Sequence, residues 1–212
     1  MINFERVHVG EYYTNCYIFF NENNVVLIDP AFDTEKIEQY IGNRTVDKII
    51  LTHGHLDHIY MIDYFQEKYN SIVYIHEKDM QLINNEHFHA PDGLMKNTVS
   101  KSYKIDKLLK NNDKIDICGN EFVVIHTPGH TPGSICLYQK ENEMLITGDT
   151  LFAGTIGRYD FPLSDESSMI SSLQTLMELP DEVKVHAGHY LRTSIGRERK
   201  NLYGNSGELR LK

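Results

Sequence analysis

Thr52-His53-Gly54-His55-Leu56-Asp57-His58 gathers three histidines and an aspartate into residues 53–58, just where the apolar run Lys48–Leu51 ends. Imidazole and carboxylate are the natural ligands of Zn2+ and similar borderline ions. A single tetrahedral ion cannot easily use all four side chains. In a tightly turned loop His53 and His55 can point to one side while Asp57 and His58 reach a second centre. Gly54 is expected to leave the backbone free to make that turn.

Three further candidate ligands arrive by the same device, each shortly beyond an apolar run. Val123-Val124-Ile125 leads to His130, Leu145-Ile146-Thr147 to Asp149, and Val183-Lys184-Val185 to His189. A glycine precedes each of them, at Gly129, Gly148 and Gly188. Strand ends at one rim of a sheet are where chains converge, so all seven side chains can meet there. Taken singly, any of these histidines reads as a surface residue or a satisfied core residue. The dense first cluster, followed by three glycine-flanked candidates at strand ends, has few purely structural uses.

The surrounding pattern supplies the scaffold. Cys16–Phe20 and Val25–Asp29, separated by Asn21-Glu22-Asn23-Asn24, read as a hairpin. Thr34–Ile41 reads as a short capped helix, Lys48–Thr52 as a buried strand, and Ile59, Ile62 and Phe65 as the face of an amphipathic helix. Ser71–Ile75 is strand-like and Lys78–Asn84 helical. Asn85–Lys101, with Pro91, Asp92 and Gly93, reads as a long surface loop. Strands follow at Lys114–Ile117, Glu121–Thr127, Ser134–Gln139 and Met144–Thr147. Ser164 is the expected cap of a helix to about Leu179, and Val183–Ala187 is a last strand. Strands, helices, strands, helices give two similar halves rather than strict alternation.

Length and composition fit one domain spanning residues 1–212, with 41% hydrophobic and 24% charged residues and no linker-like tract. The net charge is −9, and the one basic stretch is Arg192–Lys200, which reads as a solvated helix near the end. That balance argues against nucleic acid as a partner. No apolar run is long enough to span a bilayer, and no secretory signal is visible. Cys16, Cys118 and Cys136 form no C-x-x-C pair and suit reduced, buried thiols. A cytoplasmic location is expected.

Five segments together resemble the metallo-β-lactamase-fold hydrolases. They are Leu27-Ile28-Asp29-Pro30, Thr52 to His58, Thr127-Pro128-Gly129-His130-Thr131-Pro132-Gly133, Gly148-Asp149-Thr150-Leu151-Phe152 and Ala187-Gly188-His189, in the family's order over Asn15 to Ile195. Within that family the chain resembles the short, single-domain bacterial members of the glyoxalase II-like (hydroxyacylglutathione hydrolase-like) branch. The resemblance implies an α/β fold, a four-layer αβ/βα sandwich. It also implies that His53, His55 and His130 hold one metal, that Asp57, His58 and His189 hold the other, and that Asp149 bridges them. Two divalent ions are expected, zinc first, with iron or manganese as alternatives. Asp29 is expected to accept a hydrogen bond from a ligand histidine and fix its tautomer. Its other reading is a strand-end turn before Pro30.

Metal coordination lowers the pKa of water from about 15.7 to about 7, so a hydroxide shared by two ions would attack a carbonyl at neutral pH. Asp57 is the candidate catalytic residue, close enough as a ligand to orient that hydroxide. A thioester suits the site because its leaving thiolate is a soft donor. The branch hydrolyses thioesters such as S-lactoylglutathione, and Arg158, in Gly157-Arg158-Tyr159-Asp160, lies where it places a cationic substrate contact. The alternative for Arg158 is an ion pair with Asp160. Two departures weaken glutathione as the carrier thiol. Only 23 residues follow His189, so the C-terminal helical glutathione-binding domain of longer members is expected to be absent. Asp160 also stands where those members use a tyrosine.

His87 and His89 have too few companions to close a second metal site, and His8, His76, His126 and His186 are read as structural. The rival from another reaction class is a mononuclear iron persulfide dioxygenase, whose two histidines and aspartate would match His53, His130 and Asp149. A β-lactamase, a nuclease of the same fold and a non-catalytic metal-binding module rank below it. The expected partner is a small-molecule thioester, with neither nucleic acid nor membrane.

Overall fold

A computed structural model describes residues 2–83, 85 and 103–204 of the protein. Its described strands form two six-stranded sheets. The first sheet runs in sequence order through β1 (Phe4–Val9), β2 (Thr14–Phe20), β3 (Asn24–Ile28), β4 (Thr45–Ile50), β5 (Ile72–His76) and β6 (Lys107–Leu109). The second holds β7 (Lys114–Ile117), β8 (Asn120–His126), β9 (Ile135–Gln139), β10 (Met144–Gly148), β11 (Lys184–Ala187) and β12 (Thr193–Ser194), ordered from β12 back to β7. β1 to β3 pair antiparallel and β3 to β6 parallel. In the second sheet only β10 and β11 pair parallel.

The layering follows from side-chain alternation along strands buried on both faces, which is why those strands read as continuous apolar runs. Cys16, Ile18, Val25 and Leu27 point to one core with the helices α1 (Thr34–Ile41), α2 (Leu56–Ile59) and α3 (Ile62–Tyr69). Their neighbours Tyr17, Phe19, Val26 and Ile28 point the other way, into a core shared with Phe122, Val124, Leu137 and Ile146 of the second sheet. Phe19 and Phe122 meet edge to face across it, ring centroids 5.5 Å apart. Each such side chain contributes about 1.5–3 kcal/mol by leaving water. The outer face of the second sheet, through Cys136, Leu145 and Val185, packs on α5 (Glu166–Leu176) and α6 (Ile195–Tyr203). Helices, sheet, sheet, helices is the four-layer αβ/βα sandwich.

Several local expectations differ from the structure. The helix after the histidine cluster is two pieces, because Met61 leaves helical geometry and donates its N–H to Pro30 O at 3.3 Å. The expected helix Lys78–Asn84 is, over its described residues, a 3-10 turn at Glu77–Asp79 followed by α4 (Met80–Ile83), and Asn84 lies outside the described residues. The cap of α5 is Asp165, not Ser164. The Asp165 side chain accepts from Ser168 N at 2.7 Å, whereas Ser164 Oγ donates to His130 O at 2.7 Å. Apart from Asn85, the expected loop at Asn85–Lys101, with His87 and His89, lies outside the described residues. Among the described residues no helix is long and apolar enough to cross a membrane.

Candidate metal centre

The seven candidate ligands converge at one rim of the sandwich, beyond strand ends where open α/β folds place their ligands. His53 and His55 follow β4; Asp57 and His58 occupy the first turn of α2; His130, Asp149 and His189 follow β8, β10 and β11. The first sheet thus supplies four and the second sheet three. Asp149 leaves β10 through an irregularity in its pairing with β11, at Gly148, whose φ of 47° suits glycine.

Three overlapping sets of ligand atoms lie close enough to share an ion: His53/His55/His130 and Asp57/His58/His189 at the two ends, and His53/His58/Asp149 spanning them. His55 Nδ1 faces His130 Nε2 at 2.8 Å, and His58 Nε2 faces His189 Nε2 at 3.3 Å. Asp149 stands between them, Oδ2 being 3.6 Å from His130 Nε2 and 3.4 Å from His189 Nε2, with Oδ1 3.5 Å from His58 Nε2. His53 Nε2 and Asp149 Oδ1 are buried without a hydrogen-bond partner. Such orphaned atoms cost about 1–3 kcal/mol each, which a cation placed among them would relieve. The donor set of clustered imidazoles and carboxylates therefore fits divalent metal.

Outer hydrogen bonds aim the imidazole lone pairs inward. His58 Nδ1 lies 2.9 Å from Asp29 Oδ2, His130 Nδ1 2.7 Å from Arg158 O, and His189 Nδ1 3.1 Å from Tyr12 O. In each case the Nδ1–H donates outward and Nε2 is turned toward the centre. The Thr52 hydroxyl donates to Asp29 Oδ2 at 2.6 Å, so at 3.1 Å from His53 Nδ1 it is left to accept. Asp29 thus reaches His58 directly and His53 through Thr52. Its φ of 55° bends the chain sharply at the end of β3 and returns the carboxylate to the rim.

The electrostatics divide the two sets. Burial holds the His53, His55 and His130 imidazoles below their ordinary pKa, so they stay neutral. Burial acts on His189 the same way, but Asp149 and Asp57 outweigh it and raise the group to about 11. Asp57, Asp149 and Asp29 likewise raise His58 against its burial. Asp57 falls to about 2 because His58 and His189 overcome its desolvation. In the protein alone, protons on the second set balance the carboxylates, and a divalent ion would release them on binding.

Sequence reasoning missed several features of the site. Asp79 accepts hydrogen bonds from two of the ligand-bearing loops. Its signal was an acidic residue just past β5, at the same rim as the ligands. Phe161 packs edge-on to the His55 and His130 rings at 5.5 and 5.8 Å. Gly54 serves space rather than backbone freedom, since its φ is ordinary and an added Cβ would meet Leu82 Cβ at 2.9 Å. The Arg158 guanidinium forms a two-point pair with Asp160, at 2.9 and 3.0 Å, and lies 4.0 Å over the Phe161 ring. His76 and His126 stack in parallel at 4.1 Å, His186 packs edge-on to Phe4 and Tyr17, and His8 is exposed.

Residues 9–189 match the family model described as the Metallo-beta-lactamase superfamily. Among curated proteins, the chain is similar to hydroxyacylglutathione hydrolase GloC of Haemophilus influenzae, with 32% identity covering 94% of this chain and 96% of the relative. Among solved structures it is similar to BLEG-1 B3 metallo-beta-lactamase, with a TM-score of 0.86 and 31% identity over 93% of this chain and 97% of that one. It is also similar to TTHA1623 in a di-iron-bound form, with a TM-score of 0.83 and 31% identity over 93% and 98%.

Proposed function

Given that the chain belongs to the metallo-β-lactamase superfamily, we propose that it is a dinuclear metal-dependent hydrolase of small thioesters such as S-lactoylglutathione. The observation that carries this reading is the position of Asp149 between two ligand sets, in a third group with His53 and His58 that spans both. One ion needs about four ligands, and seven side chains with one carboxylate in the middle suit two. The likeness to a hydroxyacylglutathione hydrolase over nearly the whole of both chains supports the thioester.

In this reading His53, His55 and His130 would hold one ion and Asp57, His58 and His189 the other, with Asp149 available to both. Zinc is the expected metal, with iron or manganese as alternatives. When bound, the pair supplies an activated water, its pKa lowered to about 7, and Lewis-acid polarisation of the substrate carbonyl. Asp57, 3.3 Å from His189 Nε2 and within reach of Thr14 Oγ1 at 3.5 Å, orients the attacking water by hydrogen bond. Asp29, Thr52, Arg158 O and Tyr12 O keep four imidazoles in the tautomer that offers Nε2 to the ions. Their preset orientation spares the reaction the cost of reorganising them.

Arg158 is the proposed contact for a carboxylate on the carrier thiol. Binding one means sharing or leaving Asp160, an exposed pair of low intrinsic strength. If the contact is equal in ground and transition states, Arg158→Ala raises KM several-fold and leaves kcat nearly unchanged. The assay is thioester loss beside sulfite formation from glutathione persulfide, under nitrogen and under air, with zinc-, iron- and manganese-loaded protein. Thioester loss without oxygen is the expected result. Oxygen-dependent sulfite with no thioester turnover in any metal form would falsify the reading. Equal rates for carriers lacking carboxylates would remove Arg158 alone from it.

A second reading comes from the likeness to a B3 metallo-beta-lactamase. An activated water at a carbonyl serves a β-lactam as well as a thioester, so a chromogenic β-lactam belongs in the same assay. Turnover of the β-lactam with none of the thioester selects this second reading.

A further inference from the structure

We propose that Asp79 is a positioning residue for one half of the metal centre: it fixes the spacing of the His53, His55 and His130 loops, and its loss weakens that ion selectively. The inference rests on the two-ion reading of the site and concerns how the chain builds it.

Asp79 is fully buried, and its hydrogen-bond partners are three neutral donors. Oδ2 accepts from Gly54 N at 2.9 Å and from Thr131 Oγ1 at 2.7 Å, while Oδ1 accepts from Gly133 N at 2.5 Å. Gly54 lies between His53 and His55; Thr131 and Gly133 lie one and three residues after His130. A single carboxylate therefore ties together the two loops that carry this ligand set, one leaving β4 in the first sheet and the other leaving β8 in the second. The other set is braced elsewhere, His58 by Asp29 and His189 by Tyr12 O.

The glycines make the clamp possible. A Cβ on Gly133 would fall 2.6 to 2.7 Å from Asp79 atoms, and one on Gly54 would lie 3.6 Å from Asp79 Oδ2 and closer still to Leu82. The local sequence has thus cleared space on both sides of a group that is costly to bury. Burial pushes the carboxyl up to about 6, and the bonds from Thr131, Gly133 and Gly54 oppose that rise. An ionised carboxylate suits three converging donors because it only accepts. An amide would instead turn an N–H2 toward one of them and push the loops apart.

The test is titration of the metal-free, full-length protein with Co2+, followed by its visible spectrum, which reports coordination rather than turnover. Wild type should bind in two resolvable steps. In Asp79→Asn one step should weaken about 10- to 100-fold, the range seen when an outer partner of a metal ligand is lost, and the other should hold. A double-mutant comparison assigns the weakened step. Asp79→Asn should add little to the loss in His55→Ala and a full further loss to that in His189→Ala. Thr131→Val, which removes one donor and keeps the charge, should move the same step less, and it decides the matter if Asp79→Asn does not fold. Equal weakening of both steps, or no change in either, would overturn the proposal. A wild type that binds one ion would remove its premise, a result visible before any variant is made.

Discussion

Asp149→Ala is expected to strip both ions, whereas His189→Ala strips one. The Asp149 carboxylate lies 3.4 to 3.6 Å from imidazole nitrogens of His189, His58 and His130, members of both ligand sets. Its charge is also a principal reason that His189 is held at about 11 in the protein alone. Removing it takes a shared ligand from each ion and leaves three histidines at one and a histidine pair with Asp57 at the other. His189 touches only the second set, and its loss leaves His53, His55 and His130 in place. Affinity in Asp149→Ala should fall for both ions by more than the roughly 10- to 100-fold typical of a lost outer partner. Metal content after gel filtration decides the comparison, and two ions retained in Asp149→Ala would remove the bridging role.

Gly188→Ala should be nearly as damaging although no ligand changes. A Cβ there would sit 2.2 Å from Asp149 Oδ1 and 2.9 Å from His58 Cε1. The backbone has no room to retreat, because Gly188 N donates to Gly148 O and Gly188 O accepts from Asn15 N, each at 2.7 Å. Asp149 must therefore leave its place between the two sets. Overpacking of this kind costs about 1–3 kcal/mol of stability, so a folded protein with depleted metal and activity down about 10- to 100-fold is the expected outcome. The readouts are thermal unfolding and metal content measured together. A variant with normal metal content would mean that the Asp149 carboxylate is not confined as the geometry indicates.

The convergence of the seven candidate ligands at one rim was legible in the sequence because imidazoles and carboxylates in such density have few other uses, each placed just past an apolar run. The buried strands were legible for a related reason, since residues facing a core on either side are apolar throughout. What stayed hidden lacked a side-chain signature. The Tyr12 and Arg158 carbonyls that hold His189 and His130 belong to backbone, which any residue supplies. β6 and β12, three and two residues long, are too short to show a period. Asp79 was absorbed into an expected helix, and its role depends on Gly54 and Gly133 lying close in space though far apart in the chain. The break between α2 and α3 likewise depends on Pro30, a distant residue whose carbonyl takes the Met61 N–H.

Whether the centre holds two ions is the question on which the hydrolase reading and the mononuclear iron dioxygenase part most cleanly. The direct measurement is elemental analysis of protein purified in parallel under nitrogen and in air, expressed as metal per chain. Close to two divalent ions per chain, whatever their identity, is the expected result. One iron per chain and no other metal, under both conditions, would contradict it.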